Sequence, residues 1–173
     1  NATYRIGNAV EEFDLYTLIL LGKVEVAGPE PEEEEVLGKI TLDLNLDAGD
    51  QGSRKLGNAG PGQTIDIQIF GKETKGITGY SAKLEFDPNL IAYSGFVIDS
   101  KTGMISLTDL SKASTGVVTV GGGILGGSSV SLESGALGVV TFKTTAQFKG
   151  SARIILTSAQ YKKPGVTDAF ELR

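Results

Sequence analysis

The sequence contains no cysteine, no histidine and no tryptophan in its 173 residues. Without histidine and cysteine, the chain has no Ser-His-Asp or Cys-His catalytic group, no thiolate nucleophile, no Cys/His zinc site and no disulfide bond. Any metal site would consist of oxygen ligands, which bind calcium or magnesium. The absence of tryptophan disfavours a carbohydrate-binding surface, which usually needs exposed aromatic rings; Tyr93 and Tyr161 remain the candidates for one.

The sequence also lacks a long apolar run. Its longest aliphatic run, Leu18–Leu21, is far shorter than the ~20 residues that span a membrane, so no membrane span is predicted. The net charge of −5 argues against nucleic acid as a partner, since binding phosphates requires a basic surface.

The charges are distributed unevenly along the chain. Residues 1–50 hold 12 of the 21 acidic and 3 of the 16 basic residues, a net charge of −9, and residues 51–173 carry +4. An acidic first part and a basic body attract each other, either within one molecule or between neighbouring copies. The simpler interpretation is that one glutamate run skews the count.

Composition divides the chain into an N-terminal arm (residues 1–26), a linker (27–38) and a body (39–173). The linker contains two prolines and five glutamates, which predicts an extended, self-repelling segment. The arm is ambiguous, because Ala9–Leu21 fits a helix with one apolar face and Thr17–Val26 fits a strand. We favour at least one strand in the arm, since Lys23–Val26 alternates between polar and apolar residues.

The body consists of short segments that alternate between apolar and polar residues and are separated by turn signals. In Lys39–Leu46 the apolar residues fall on every second position, which is typical of a half-buried strand. About nine or ten such strands without crossover helices predict an all-β antiparallel sandwich. The further predicted strands are Thr64–Phe70, Tyr80–Phe86, Ile91–Ile98, Met104–Leu107, Gly116–Val120, Ser128–Leu132, Leu137–Thr145, Ala152–Ser158 and Val166–Leu172.

The same alternation predicts which side chains face the core. Asp43 and Asn45 are expected on the solvated face of the first strand. The predicted core residues are Ile40, Leu42, Leu44, Ile65, Ile67, Ile69, Leu84, Phe86, Val140, Phe142, Ile154 and Leu156.

Three segments resemble a cohesin domain, the nine-stranded jelly-roll sandwich of cellulosome scaffolds. Lys75–Ile91 is similar to the cohesin pattern of a glycine turn, an alternating strand and a Phe-Asp-Pro turn into a leucine-containing strand. Pro61–Ile69 and Gly135–Phe142 resemble the strands on either side, so the likeness covers residues 39–173. It implies a non-catalytic extracellular module that holds a protein partner; classical cohesins bind a dockerin helix pair through one sheet face.

Two segments with acidic residues are candidates for a calcium site or a catalytic carboxylate. The group Asp43, Asn45, Asp47 and Asp50 resembles the start of a calcium loop, but it lacks the glycine at the sixth place and the glutamate at the twelfth. We therefore predict no cofactor and no calcium requirement. Asp87 precedes a proline, where an aspartate usually organises a turn rather than a catalytic site.

The glycines at Gly121–Gly123 are not followed by the Gly-Lys-Ser/Thr of a phosphate loop. They are interpreted as a bulged or flexible strand end, with close contact to a neighbouring subunit as the alternative.

The predicted function is therefore extracellular or cell-surface protein–protein assembly, without enzyme activity. The partner is predicted to be a second copy, giving a filament or lattice joined through the arm. The arm can instead fold back on its own sandwich or dock on another protein, and the sequence does not choose between these outcomes. The alternatives are a carbohydrate-binding module and a cohesin-type receptor for a dockerin-like partner. Asn1–Thr3 fits the glycosylation pattern of secreted proteins, which gives weak support. The predicted interface consists of the large apolar residues of the arm, Phe13, Leu15, Leu18, Ile19, Leu20 and Leu21.

Overall fold

The computed structural model describes the backbone of residues 2–6, 9–13, 23–27, 39–164 and 170–172, and the side chains of residues 40–164. The predicted antiparallel sandwich is confirmed: two sheets pack face to face, and a separate hairpin lies in the arm. The strands are β1 (Ala2–Ile6), β2 (Ala9–Phe13), β3 (Lys23–Ala27), β4 (Lys39–Asp43), β5 (Lys55–Leu56), β6 (Thr64–Lys72), β7 (Gly79–Phe86), β8 (Ile91–Ile98), β9 (Ile105–Asp109), β10 (Val117–Gly123), β11 (Ser134–Thr144), β12 (Ser151–Lys162) and β13 (Phe170–Leu172), with short 3-10 helices at Ser100–Thr102 and Ala113–Thr115.

The first sheet has the strand order β5-β3-β12-β7-β10-β9, and β13 also pairs with β12. The second sheet has the order β4-β6-β11-β8. All described pairings are antiparallel except that of β3 with β12, which is parallel. Two irregularities shape the second sheet, where the register of β11 shifts between Ala136 and Gly138 against β6 and between Thr141 and Phe142 against β8.

The core lies between the two sheets. Eleven of the twelve predicted core residues are buried, and Leu44 is partly buried and packs against them. Aromatic rings meet at the centre: Phe142 makes edge-on contacts with Phe86, at a centroid distance of 5.1 Å, and with Tyr93, at 6.0 Å. Alternation at period two therefore identified the inward positions, since successive strand side chains point to opposite faces.

The described part of the arm is strand. β2 covers Ala9–Phe13 and pairs antiparallel with β1, so the helical interpretation of Ala9–Leu21 is wrong for these five residues. Residues 14–21 lie outside the described residues. The division into arm, linker and body stays a prediction; β3 ends at Ala27, the first residue assigned to the linker.

One predicted strand of the body is wrong. Ser128–Leu132 is irregular, although Val130 is buried. The backbone N–H of Val130 donates to the Ile77 carbonyl at 2.9 Å, and its carbonyl accepts from the N–H of Gly76 at 2.8 Å. These hydrogen bonds tie the segment to the loop before β7 instead of to a sheet edge. In the part of the chain that the structure describes, no helix is long and apolar enough to cross a membrane.

Candidate protein-binding surfaces

The predicted arm interface lies mostly outside the described residues. Phe13 is the last residue of β2, and its backbone is opposite Ala2 of β1. The structure does not describe Leu15, Leu18, Ile19, Leu20 and Leu21. The assignment of these six residues to an interface therefore stays a prediction.

The arm nevertheless joins the body through β3. On one side β3 pairs parallel with β12, from Lys23 opposite Ser151 to Ala27 opposite Ile155. On the other side it pairs antiparallel with β5, where Val24 is opposite Leu56. β3 thus occupies a slot with backbone partners on both sides, which an edge strand does not have. A parallel pair requires a long connection, and the linker between Ala27 and Lys39 contributes to it.

The outer face of the first sheet carries exposed aliphatic side chains. Ile105 and Leu107 on β9 are 48% and 54% exposed, and Ile155 on β12 is 37% exposed. Among the described strands β9 pairs only with β10, so its other edge is open. Open edges and exposed apolar residues are both features of protein-binding surfaces.

The middle of this face is polar. The Lys83 ammonium lies 2.9 Å from the Glu85 carboxylate, and the Thr157 hydroxyl donates to Glu85 at 3.3 Å. The hydrogen bond from Lys83 lowers the pKa of Glu85, and Thr157 contributes in the same direction. On this face the Lys83–Glu85 ion pair of β7 therefore lies between the aliphatic residues of β9 and Ile155 of β12.

Two of the three glycines of β10, Gly121 and Gly122, are a packing requirement and not a flexible end. A Cβ on Gly122 would lie 2.6 Å from Ile98 Cδ1 and 3.0 Å from the Met104 side chain, inside the core. A Cβ on Gly121 would lie 2.2 Å from the Tyr80 carbonyl oxygen. The sheet closes tightly here because these positions carry no side chain.

The acidic loop after β4 is organised around Asp43. This side chain is fully buried, which corrects the prediction that it lies on the solvated face. Its Oδ1 accepts from the backbone N–H groups of Asn45 at 2.8 Å and Ser53 at 3.1 Å. Its Oδ2 accepts from Gln51 and from Gly52 at 3.0 Å. The carboxylate thus closes the loop by accepting from four backbone N–H groups of the residues that follow β4.

Asp50 and Arg54 complete this loop. The Asp50 carboxylate accepts from the Thr41 hydroxyl at 2.8 Å and from the Gly52 N–H at 3.0 Å, and the Arg54 guanidinium lies 3.2 Å away. Burial raises the pKa of Asp50, but the hydrogen bonds and the guanidinium outweigh it and lower the pKa from 3.8 to about 2. Asp50 is therefore ionised in the folded protein at any ordinary pH.

The four residues that resemble the start of a calcium loop do not form a cage. Asp43 and Asp50 face backbone donors and Arg54, while the Asn45 side chain accepts from the N–H of Asp47, which is exposed. Within the described residues, no group of three or more acidic side chains is placed to hold a metal ion. Asp87 organises a turn: its carboxylate accepts from the backbone and side-chain nitrogens of Asn89 at 2.9 and 3.0 Å.

The two tyrosines proposed for sugar binding are not exposed platforms. Tyr161 is buried, and its hydroxyl donates to the Lys72 carbonyl at 3.3 Å. Tyr93 is half-buried against Phe142. Burial raises the pKa of both phenols above the usual value of 10. Neither ring is therefore free to stack on a sugar.

A groove lies on the outer face of the second sheet. Its volume is about 360 Å³. Leu46 and Val97 form aliphatic walls, and Ala136 and Gly138 are the smallest residues in the lining. Lys101 lies at the rim, and no ion pair involves its ammonium in the described part of the chain.

Gln68 lines this groove and was not singled out from the sequence. Its side chain is 5% exposed, and its Oε1 has no hydrogen-bond partner. The Nε2 donates only weakly to the Leu46 carbonyl, at 3.5 Å. Nothing in the sequence distinguishes this residue, because polar residues are ordinary at outward strand positions. The groove therefore contains a buried acceptor that folding leaves unsatisfied.

No protein-family model matches the chain, and no curated protein matches it at a significant level. Solved structures do match. The third cohesin of ScaC from Acetivibrio cellulolyticus, determined in complex with the ScaB dockerin, has a TM-score of 0.50 and 12% identity over 87% of this chain and 90% of that chain. The described sandwich has a cohesin-like fold.

Other cohesins are similar to the cohesin-like sandwich at lower TM-scores. The seventh ScaB type I cohesin from Pseudobacteroides cellulosolvens has a TM-score of 0.45 and 12% identity, covering 86% of this chain and 83% of that one. CaCohA2 from Clostridium acetobutylicum has a TM-score of 0.48 and 9% identity, covering 65% of this chain and 82% of that one. The cohesin resemblance is confirmed as a likeness of fold: its central segment forms β7 (Gly79–Phe86) and the turn into β8.

Proposed function

We propose that the chain is a non-catalytic, extracellular or cell-surface module that assembles with further copies of itself through its N-terminal arm. The observation that carries the proposal is the pairing of β3 between β12 and β5. A strand held on both sides by backbone hydrogen bonds, and joined to its sandwich by an acidic linker, is suited to exchange between copies. Strand addition of this kind provides affinity through main-chain hydrogen bonds.

The composition of the arm supports the same function. Phe13, Leu15 and Leu18–Leu21 are large apolar residues in a stretch of nine. Burying each side chain contributes roughly 1.5–3 kcal/mol, so the stretch gains most by contact with another protein surface. The opposite charges of residues 1–50 and 51–173 favour contact between the arm of one copy and the body of the next. A head-to-tail contact that does not close yields a filament.

A pair of arm variants tests this proposal in the full-length chain. Ile19→Asp places a charge in the apolar stretch, whereas Thr17→Asp adds the same charge at a polar position two residues earlier. We expect the wild type and Thr17→Asp to form assemblies that grow with concentration, and Ile19→Asp to remain smaller, by light scattering coupled to size exclusion and by negative-stain micrographs. Equal assembly of both variants would exclude the apolar stretch as the connector.

Strand exchange has its own test, since the chain contains no cysteine. Glu25 on β3 lies opposite Arg153 on β12. Glu25→Cys and Arg153→Cys chains, mixed under oxidising conditions, form a disulfide between two molecules when β3 is donated to a neighbour. A chain carrying both substitutions cross-links within itself when β3 stays in its own sandwich. Exclusive cross-linking within the double variant would contradict the donor-strand part of the proposal.

A second candidate is a receptor for a dockerin-like helical partner. The exposed aliphatic residues of the first sheet, Ile105, Leu107 and Ile155, favour it, as does the fold shared with a cohesin that was determined with its dockerin. Added partner would then bind without changing the assembly of the chain alone, and Leu107→Asp would weaken that binding. A carbohydrate-binding role receives no such support, because Tyr161 is buried and Tyr93 packs on Phe142.

A further inference from the structure

The most exposed large apolar side chain among the described residues is Leu125, at 77%. It follows β10 in an exposed loop that continues through Gly126 and Gly127, both with positive φ, to Ser129. The backbone N–H of Ile124 donates to Thr78 and that of Val130 to Ile77, whereas no backbone hydrogen bond involves an N–H of residues 125–129. The loop therefore presents an aliphatic tip surrounded by available N–H donors.

The groove on the second sheet has the complementary features. Val97, which is 70% exposed, and Leu46 provide aliphatic walls, and the lining also includes the small residues Ala136 and Gly138. At its base the Gln68 Oε1 is buried and lacks a donor. An occupant that fits this groove carries an aliphatic side chain next to an N–H group.

We propose that the Leu125 loop of one copy docks in the Gln68 groove of a second copy of this chain. The Leu125 side chain packs between Leu46 and Val97, and the Gln68 side chain, whose Oε1 is covered in the single chain, turns outward to accept from an N–H of the glycine pair. The contact satisfies an acceptor on one copy with donors from the other, and it removes the two most exposed aliphatic side chains, Leu125 and Val97, from water. It rests on the proposed self-assembly and adds a contact between bodies to the contact made by the arm.

Substitutions on the two sides test the contact by sedimentation velocity of the full-length chain over a range of concentrations. Leu125→Asp and Val97→Asp are each expected to raise the concentration needed for half-assembly at least tenfold. Leu110→Asp is the matched control, because Leu110 is an exposed aliphatic residue outside the groove. Gln68→Leu keeps the volume of the side chain but removes the acceptor. We expect this variant to assemble more weakly while its melting temperature is unchanged or higher. If Gln68 only stabilised the fold of the single chain, the substitution would not separate assembly from stability in this way.

Cross-linking identifies the two surfaces directly. Val97→Cys mixed with Leu125→Cys is expected to give a disulfide-linked heterodimer, and Val97→Cys mixed with Leu110→Cys is not. Equal cross-linking of Leu110→Cys and Leu125→Cys to Val97→Cys, or assembly that is unaffected by Leu125→Asp, would overturn the loop-in-groove contact. If only Ile19→Asp reduces assembly, the arm proposal stands and this one fails. If the wild type stays monomeric at every concentration, both fail.

Discussion

The carboxylate of Asp43 accepts a hydrogen bond from the backbone N–H of Gly52, nine residues later, at 3.0 Å. The chain leaves β4 at Asp43, turns back and wraps the loop over the carboxylate, which ends fully buried. The same loop brings Asp50 within 2.8 Å of the Thr41 hydroxyl on β4. One buried anion thus fixes the loop that follows the first strand of the body.

Replacing this anion is expected to destabilise the fold. Asp43→Asn keeps the shape but removes the charge and turns an amide donor towards backbone donors. We expect the loss of these hydrogen bonds to lower the free energy of unfolding by about 3 kcal/mol, because hydrogen bonds to a charged carboxylate are stronger than those between neutral groups. Urea unfolding at pH 7 measures it, with Asp47→Asn at the exposed position as the control, expected within about 0.5 kcal/mol of wild type. Equal stability of the two variants would contradict the role of Asp43.

Asp50 makes stability depend on acid. Because its pKa is about 2 in the folded protein and 3.8 in the unfolded chain, it contributes stability above pH 4 that is lost as the pH falls towards 2. The contribution at neutral pH is about 2 kcal/mol. The difference in unfolding free energy between wild type and Asp50→Asn should therefore shrink between pH 5 and pH 2. A difference that stays constant over this range would assign the effect of the substitution to something other than the charge.

Calcium removal is expected to leave the protein unchanged. The carboxylates of Asp43 and Asp50 already accept from backbone N–H groups and the Thr41 hydroxyl, so the loop holds its shape through its own donors. The melting temperature should be the same with EGTA and with added calcium, because an ion that binds only the folded state would raise it. A melting temperature that falls sharply with EGTA and is restored by calcium would contradict this prediction and indicate that these residues bind calcium.

Gly122→Ala is expected to strain the core. Its Cβ would lie 2.6 Å from Ile98 Cδ1 and would press on Met104, and overpacking of this kind costs about 1–3 kcal/mol. Gly57→Ala is the control, because Gly57 is exposed and a Cβ there meets nothing within 4 Å. Thermal unfolding of both variants checks the prediction. A Gly122→Ala variant as stable as Gly57→Ala would mean that β10 shifts without cost.

Leu84→Ala is expected to cost about 2–5 kcal/mol, because Leu84 is fully buried in β7 between β10 and β12 and the substitution leaves a cavity. Leu107→Ala removes the same atoms from an exposed position and should cost far less. Chemical denaturation gives both values, and similar losses would show that burial does not govern the effect.

The sequence by itself determined the fold class and the core. Side chains alternate across a strand, so residues such as Ile65 and Ile67 had to share a face, and turn residues separated the strands; both follow from local geometry. The same local rule could not choose partners. Lys23–Val26 alternates like any strand, and only the tertiary structure decided that β3 pairs in parallel with β12.

Tertiary structure also decided the burial and the hydrogen bonding of individual polar residues. Alternation assigns Asp43 and Gln68 alike to the outward face, yet a returning loop covers Asp43 with four donors and the groove buries Gln68 with its acceptor unsatisfied. Donors to Asp43 come from the loop that returns at Gln51–Ser53, and residues that line the groove around Gln68 come from β8 and β11. A local pattern specifies the direction in which a side chain points, and long-range packing specifies what covers it.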